Sequence, residues 1–516
     1  MDQPLRDGPR AAAPLKTPAE AAPPAGAVPP AGAVPLTHAE IRSIIIGIIV
    51  AMLLAALDQT IVATALPTIG RELGDLEHMS WVVTAYLLAA TAVTPLYGKF
   101  SDIHGRRVTL LIGIVTFIIG SIACALAPSM LVLILARALQ GLGGGGLISL
   151  AQTIIADVVA PKERARYQVY IAGVFVASSL AGPVLGGFFA ERLHWSVIFW
   201  INLPLGLLAL WMTNGALKRL PRHERPHRLD VLGAVLMCAA TVSLLLALSW
   251  GGLRYPWFSG PILALVAASA VLWAIFARHL RRSPEPLIPV DILDNPVVRS
   301  GTLAACFGMG TFIGLTIYLP VYFEAVRGLS AADSGLALIP LMVGTVTGAT
   351  LSGRAMAHVT HYKRLPVVGL TVAALATAAL VVLSERLPLA WVLVLNAVTS
   401  IGLGTLLPIS TVAIQNAVEP HQLGTATGVA NFFRQLGGAF IVAVFGAIVL
   451  GGLGAAGRGL TFETLSQAAT TGVNLGGVFR WVFAAALLGF ALALFFLIRM
   501  EERPLRSAVG PTTAAE

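Results

Sequence analysis

Fourteen stretches along this 516-residue chain are apolar and long enough to cross a bilayer as a helix. A spanning helix needs about 20 residues. Within lipid each backbone N–H and C=O must find its partner inside the protein, so helices or closed barrels are the available folds. Windows of this length, at 43–66, 79–98, 108–127, 130–156, 167–190, 197–217, 230–250, 258–278, 300–322, 334–355, 365–384, 388–415, 425–450 and 479–499, read as helices. Composition agrees: 11% of residues are charged, against about 25% in a soluble protein. The chain is read as an all-α polytopic membrane protein. Its 52 glycines suit helices that approach closely where water supplies no hydrophobic drive. Cys124, Cys238 and Cys306 all fall inside predicted spans, so neither a disulfide framework nor a thiolate metal site is expected.

The formal net charge of +9 is placed as a membrane requires, which argues against nucleic acid as a partner. Lys99, Arg106, Arg107, Lys162, Arg164, Arg166, Lys218, Arg219, Arg278, Arg281, Arg282, Arg354, Lys363, Arg364 and Arg499 share one side, and few bases lie opposite. The positive-inside rule then puts both termini in the cytoplasm and demands an even number of helices. Trp81, Trp195, Trp250, Trp257, Trp391 and Trp481 fall at the outer ends, where an aromatic belt belongs. Residues 1–42 are rich in Pro and Ala and lack an apolar core segment, so they read as a disordered cytoplasmic tail rather than a signal peptide.

The two halves echo each other. Val159-Ala160-Pro161-Lys162 and Val418-Glu419-Pro420-His421 each lead into a glycine-rich span. Gly353-Arg354 through Lys363-Arg364 looks like an eroded copy of Gly98 through Arg107. Related halves are a mark of transporters, with the binding site between them near the midplane. The expected organisation is a six-helix bundle at 43–217, a linker with an inserted two-helix hairpin at 218–299, a second six-helix bundle at 300–499, and a cytoplasmic tail at 500–516. The hairpin has its charged groups at its ends, so it is expected to be a scaffold or to face lipid, outside any transport pathway.

Asp58 stands alone in the first apolar window. A charged Asp at a helix centre lies about 2.5–3.5 kcal/mol uphill on insertion scales. A titratable group held there suggests proton carriage or cation binding; the alternative is a carboxylate neutralised by a neighbouring helix as a structural tie. Arg137 and Arg434 are bases inside apolar spans and need acceptors. Each reads either as a structural clamp or as a residue of the proton or substrate path. Glu324 falls near an outer helix end, as a solvated cap or a proton or cation site. The loop Gly98-Lys99-Phe100-Ser101-Asp102-Ile103-His104-Gly105-Arg106-Arg107 concentrates charge at the membrane surface. It suits a latch between helix ends that breaks and reforms as bundles rock, beside the plainer reading of a positive-inside loop. Gly182-Pro183 bends a helix and Gly186-Gly187 permits tight packing. Together they suit a dry seal between bundles or a simple kink. Gly143 to Gly146 lacks the following Lys-Ser/Thr of a phosphate loop.

These segments resemble, in order, the motifs of the major facilitator superfamily and in particular its fourteen-helix drug:proton antiporters, the group that includes EmrB and QacA. Gly98, Asp102, Gly105, Arg106 and Arg107 match motif A, with Phe100, Ser101 and Ile103 departing from it. Leu57-Asp58-Gln59-Thr60-Ile61-Val62 is similar to the group's first-helix signature, and Leu135 through Gly145 to motif B, whose arginine is implicated in proton transfer. Gly182-Pro183-Val184-Leu185-Gly186-Gly187 resembles antiporter motif C, and Asn431-Phe432-Phe433-Arg434-Gln435-Leu436-Gly437-Gly438 also looks typical of the group.

The resemblance implies the major facilitator fold and proton-coupled export of amphipathic, often cationic, compounds from a bacterial inner membrane. Asp58, Arg137, Arg434 and Glu324 are then candidates for proton coupling or substrate binding. The same fold could serve a dedicated exporter of a lipid, siderophore or biosynthetic product. A sensor or membrane enzyme is the remote alternative, since no HExxH or nucleophile elbow occurs. No cofactor, metal or nucleic acid is expected. Protons, membrane lipids and a periplasmic adaptor are the partners considered, with a monomeric chain. One proton at ~170 mV supports roughly a thousand-fold gradient, from about 2.3 kcal/mol per charge per 100 mV and 1.4 kcal/mol per tenfold.

Overall fold

The computed structural model describes residues 38–75, 78–219, 229–359, 361–452 and 475–505. Among the described residues there are 14 helices long and apolar enough to cross a membrane. The first six are α1 (Glu40–Glu72), α2 (Trp81–His104), α3 (Arg106–Ala125), α4 (Met130–Val158), α5 (Pro161–Arg192) and α6 (Val197–Gly215). Then come the pair α7 (Val231–Trp250) and α8 (Gly260–Leu280). The last six are α9 (Pro296–Ala325), α10 (Asp333–Met356), α11 (Arg364–Leu383), α12 (Leu389–Asn416), α13 (Pro420–Gly452) and α14 (Leu475–Arg499). Every apolar window became a helix.

Local chemistry sets the boundaries. Gly105, at φ 86°, makes the sharp turn between α2 and α3, a conformation an L side chain resists. Asn295 caps α9, its side chain accepting from the N–H of Val297 at 3.0 Å, and Pro296 follows at the first helical position. The first helix starts at His38, so residues 38–42, expected in the tail, are helical. Glu40 in that first turn complements the positive end of the helix dipole. The rest of that expected tail, residues 1–37, lies outside the described residues.

Separate apolar cores lie in the two halves. Ile61, Val62, Ile69, Leu133, Ile198 and Phe199 form one. Tyr322, Phe323, Leu403, Phe445, Phe479 and Phe483 belong to the other. The bundles meet along two seams, α2 against α13 and α5 against α10. The end carrying the α2–α3 turn is called the basic end below. There Lys363 donates to the carbonyl of Ile498 at 2.7 Å and also to that of Met500, and its N–H donates to Glu502 at 2.9 Å. Burial holds the Lys363 ammonium below its usual range. The start of the expected C-terminal tail is therefore docked on the α10–α11 turn, and residues 506–516 lie outside the described residues.

The α7–α8 hairpin has two unlike faces. Leu263, Val266, Val271 and Ile275 of α8 are exposed. Met237, Phe276 and Leu287 pack instead with Val429 and Phe433 of α13 and Leu96 of α2. The hairpin thus covers the α2–α13 seam and touches both bundles. At its basic end Asp230 caps α7 through the N–H of Gly233 at 2.8 Å and also accepts from His279 at 2.8 Å and the N–H of Leu287 at 3.1 Å. Burial alone would raise the Asp230 carboxyl, but these donors hold it below the ordinary carboxylate value.

Candidate functional site

Asp58 is completely buried in the N-terminal bundle. Arg137 of α4 donates to its Oδ2 at 2.6 Å. Gln140, one turn along the same helix, and Asn202 of α6 each donate to Oδ1 at 2.9 Å. Arg137 is held a second time by Gln140 Oε1 at 2.6 Å and by the carbonyl of Val82 at 3.0 Å. Its guanidinium lies 4.3 Å from the Tyr86 ring centroid, within cation–π range. Asn202 also donates to Ser121, which donates to the carbonyl of Phe199. The carboxylate's charge is therefore balanced inside one bundle, and both alternative acceptors of Arg137 are already in place.

The second cluster crosses the bundles at the basic end. Asp102, near the end of α2, accepts from the N–H groups of Gly424 at 3.0 Å and Thr425 at 2.7 Å, and from the Thr425 hydroxyl at 2.7 Å. It thereby caps the first turn of the long helical run of α13, where orphan donors and the helix dipole favour an anion. Gly98 makes the approach possible: a Cβ there would stand 2.3 Å from the carbonyl oxygen of Gly424. Arg106 pairs with Asp102 and, at 2.7 Å, with Asp157 of α4. Ile103, where the motif has an arginine, brings no charge to this cluster, so Arg106 alone is shared by the two acids. Arg107 donates to Asn214 of α6 at 3.2 Å.

A third cluster lies deeper on the same boundary. Arg434 sits about 16 Å along α13 from Leu423, at 1.5 Å per residue, and is 9% exposed. It donates to Asn431 at 3.2 Å and to the Thr411 hydroxyl at 2.5 Å, while its Nε has no hydrogen-bond partner. Asn431 donates to Gln152 of α4 at 2.8 Å, and Gln415 of α12 donates to the Gln152 carbonyl at 3.3 Å. Thr91 of α2 donates to Gln435 at 2.9 Å. Unlike Arg137, Arg434 faces no carboxylate among the described residues.

The structure corrects one expectation. Gly182 and Gly186 are not between the bundles: they seat α5 on α1 within the N-terminal bundle. A Cβ at Gly182 would stand 2.1 Å from Thr60 Oγ1, and one at Gly186 2.2 Å from Thr64 Oγ1, while Gly187 meets nothing within 4 Å. The Thr60 hydroxyl donates across to the carbonyl of Ser178 at 2.8 Å. Small-residue faces bring helices together wherever they occur, and here the matching face belongs to α1. Pro183 is exposed. Glu324 is half-buried one residue from the end of α9, apart from the other candidates. The run Gly143 to Gly146 lies in α4 against α2 and α3. Among the described residues no group of His, Cys, Asp and Glu could hold a metal ion.

Sequence reading missed the amides Gln140, Gln152, Asn202 and Gln415. The signal was present: a carboxamide in an apolar span needs partners, and Gln140 stands one turn from Arg137. What the sequence does not carry is which helices their side chains join.

A family model described as Major Facilitator Superfamily matches residues 48–231 and 216–442. Multidrug resistance protein 3 of Bacillus subtilis (strain 168) is 32% identical over 413 residues, 80% of this chain and 80% of that protein. A Mycobacterium tuberculosis (strain CDC 1551 / Oshkosh) protein called an uncharacterized MFS-type transporter is 33% identical over 402 residues; the alignment spans 78% of this chain and 58% of that relative's length. Among solved structures, the proton:xylose symporter XylE superposes with a TM-score of 0.59 at 15% identity, covering 89% of this chain and 95% of that one.

Proposed function

Given that the chain belongs to the Major Facilitator Superfamily, and so is a multi-pass membrane transporter and not an enzyme, we propose that it is a proton-coupled antiporter exporting amphipathic compounds, its basic end in the cytoplasm of a bacterial inner membrane. The similarity to Multidrug resistance protein 3 supports a drug exporter. The observation that carries the coupling is the buried Asp58–Arg137 pair with its spare acceptors. When a proton reaches Asp58, the carboxyl becomes neutral and the ion pair is lost. Arg137 is not orphaned, because Gln140 Oε1, the Val82 carbonyl and the Tyr86 face keep it. Without such acceptors, breaking a buried pair costs roughly 3–5 kcal/mol.

The Asp102 cap on α13 is the part that must open. Release toward the inward-facing form separates Gly98 from Gly424 and Gln152 from Asn431, so the cluster acts on the conformational equilibrium and not on cargo affinity. Arg106, shared between Asp102 and Asp157, stays with the N-terminal bundle and keeps the acid oriented for closing.

The test is transport in liposomes holding only this protein, with a panel of amphipathic dyes of each charge and an imposed pH gradient. Dye movement should follow the gradient, stop with a protonophore, and be matched by counter-movement of protons. Asp58→Asn should abolish the exchange. Full proton-driven transport by that variant overturns the coupling assignment.

A further inference from the structure

Charge at depth limits what such a transporter can carry. Among the described residues Asp58 is the one carboxylate more than a turn inside a membrane helix. It is fully buried and taken by three donors within its own bundle. A cationic cargo therefore finds no free acid at depth. Arg434 is the opposite case: a guanidinium near mid-depth on the boundary between bundles, held by two neutral oxygens, with Nε unpaired. An uncompensated buried cation is expensive, and neutral partners repay it less than a carboxylate would. Its partner Asn431 is in turn held by Gln152 of the other bundle, so separation of the bundles breaks that outer tie and uncovers the boundary side of the guanidinium. It keeps the two oxygens of its own bundle, with Nε still unpaired, at the level where transporters of related halves bind their cargo.

We propose that Arg434 is the counter-ion of the cargo, and that the cargo is an amphipathic organic anion whose carboxylate, sulfonate or phosphate oxygens pair with this guanidinium. The inference rests on the export reading and names its substrate class. Arg suits the task because its planar fork pairs with two oxygens at once and keeps its charge at any working pH. Asp58 is left as the proton site, and the expectation of cationic cargo, which used Asp58 as counter-charge, is replaced.

Three probes with one dansylaminoundecyl tail, ending in a sulfonate, an alcohol or a trimethylammonium group, test this. Binding is read by dansyl fluorescence on the full chain in lipid nanodiscs, with empty nanodiscs subtracted. The sulfonate should bind about tenfold or more tighter than the trimethylammonium probe. Arg434→Gln should remove that preference and leave the alcohol unchanged, while Arg434→Lys, keeping the charge and losing the fork, should retain part of it. A wild-type preference for trimethylammonium overturns the proposal, as does unchanged sulfonate binding in Arg434→Gln. If the Gln variant fails to fold, the wild-type ranking and the Lys variant decide. Transport of the same probes under a pH gradient separates the two readings: charge-selective binding without proton-driven movement sinks the export reading and leaves the assignment of Arg434 standing.

Discussion

Arg137 and Arg434 are both guanidiniums buried in apolar spans, and the protein treats them differently. Arg137 has a carboxylate at 2.6 Å, and α4 and α1, which carry the pair, belong to one bundle. Arg434 has neutral partners and an unpaired Nε, and its surroundings include Gln152 of the other bundle through Asn431. A charge that travels with a rigid body can be neutralised without hindering motion. A charge on a moving boundary cannot be paired across it so tightly without locking the boundary. Where an acid does cross, as Asp102 does, its partners on the far side are backbone N–H groups and a hydroxyl, which water can replace when the seam opens at the basic end.

The largest expected effect breaks the contrast by turning Arg137 into an unpaired charge. Asp58→Asn leaves that guanidinium without its counter-ion, which costs about 3–5 kcal/mol when a buried pair loses one member, less what Gln140 and Val82 return. The expected outcome is loss of proton-driven exchange together with a lower melting temperature of the detergent-solubilised protein. Asp58→Asn combined with Arg137→Gln should recover much of the stability and none of the exchange. A single variant as stable as wild type would show that Asp58 is neutral already.

The next effect sharpens the contrast between packing inside a bundle and contact across it. Gly182→Ala and Gly186→Ala put a methyl against Thr60 and Thr64 of α1, and overpacking of this kind costs about 1–3 kcal/mol. Gly187→Ala meets open space and should be neutral in the same melting assay. Equal effects at all three positions would mean that α5 needs glycine for bending and not for its fit to α1.

Much of this was legible before any coordinates. Span length and the demand for satisfied backbone groups leave one architecture, so all fourteen helices were read. Asp58 and Arg137 were recognisable because a lone charge in an apolar run is too costly to be incidental. That they are each other's partner was not, because residues 79 apart meet only through bundle packing. The same limit misplaced the Gly182–Gly187 face: glycine spacing marks a close approach without saying which helix arrives. It also hid the inner face of the hairpin, since Met237 and Phe276 look alike against lipid or against α13.

Asp102→Asn acts across the boundary, so its effect should appear in conformation and hardly in stability. Asn can still accept from one N–H of the α13 cap, so the loss is about 1–2 kcal/mol, the worth of a charge-assisted bond and its dipole attraction. With His104→Cys and His421→Cys at the basic ends of α2 and α13, in a background lacking native cysteines, disulfide cross-linking should fall in Asp102→Asn while melting is nearly unchanged. Lower probe affinity with unaltered cross-linking would remove the latch.

The smallest expected effect asks to which side of the contrast the hairpin belongs. Asp230 fixes its base through Gly233, His279 and Leu287, and all of these lie in residues 229–288, so the contact is local although the hairpin covers a seam. Asp230→Ala removes the cap of α7 and should cost about 1 kcal/mol, and Asp230→Asn, which still caps, a few tenths. Because the folded carboxyl is held below its ordinary value, its contribution is complete above the unfolded value of about 3.9. It is lost as pH falls through the lower folded value, so the difference in melting temperature between wild type and Asp230→Ala should narrow only at the acid end of a titration. Cross-linking between α2 and α13 should stay as in wild type. If Asp230→Ala instead loosens that cross-link as Asp102→Asn does, the hairpin is a working part of the seam, and its contacts with Leu96 and Val429 must break and reform in each transport cycle.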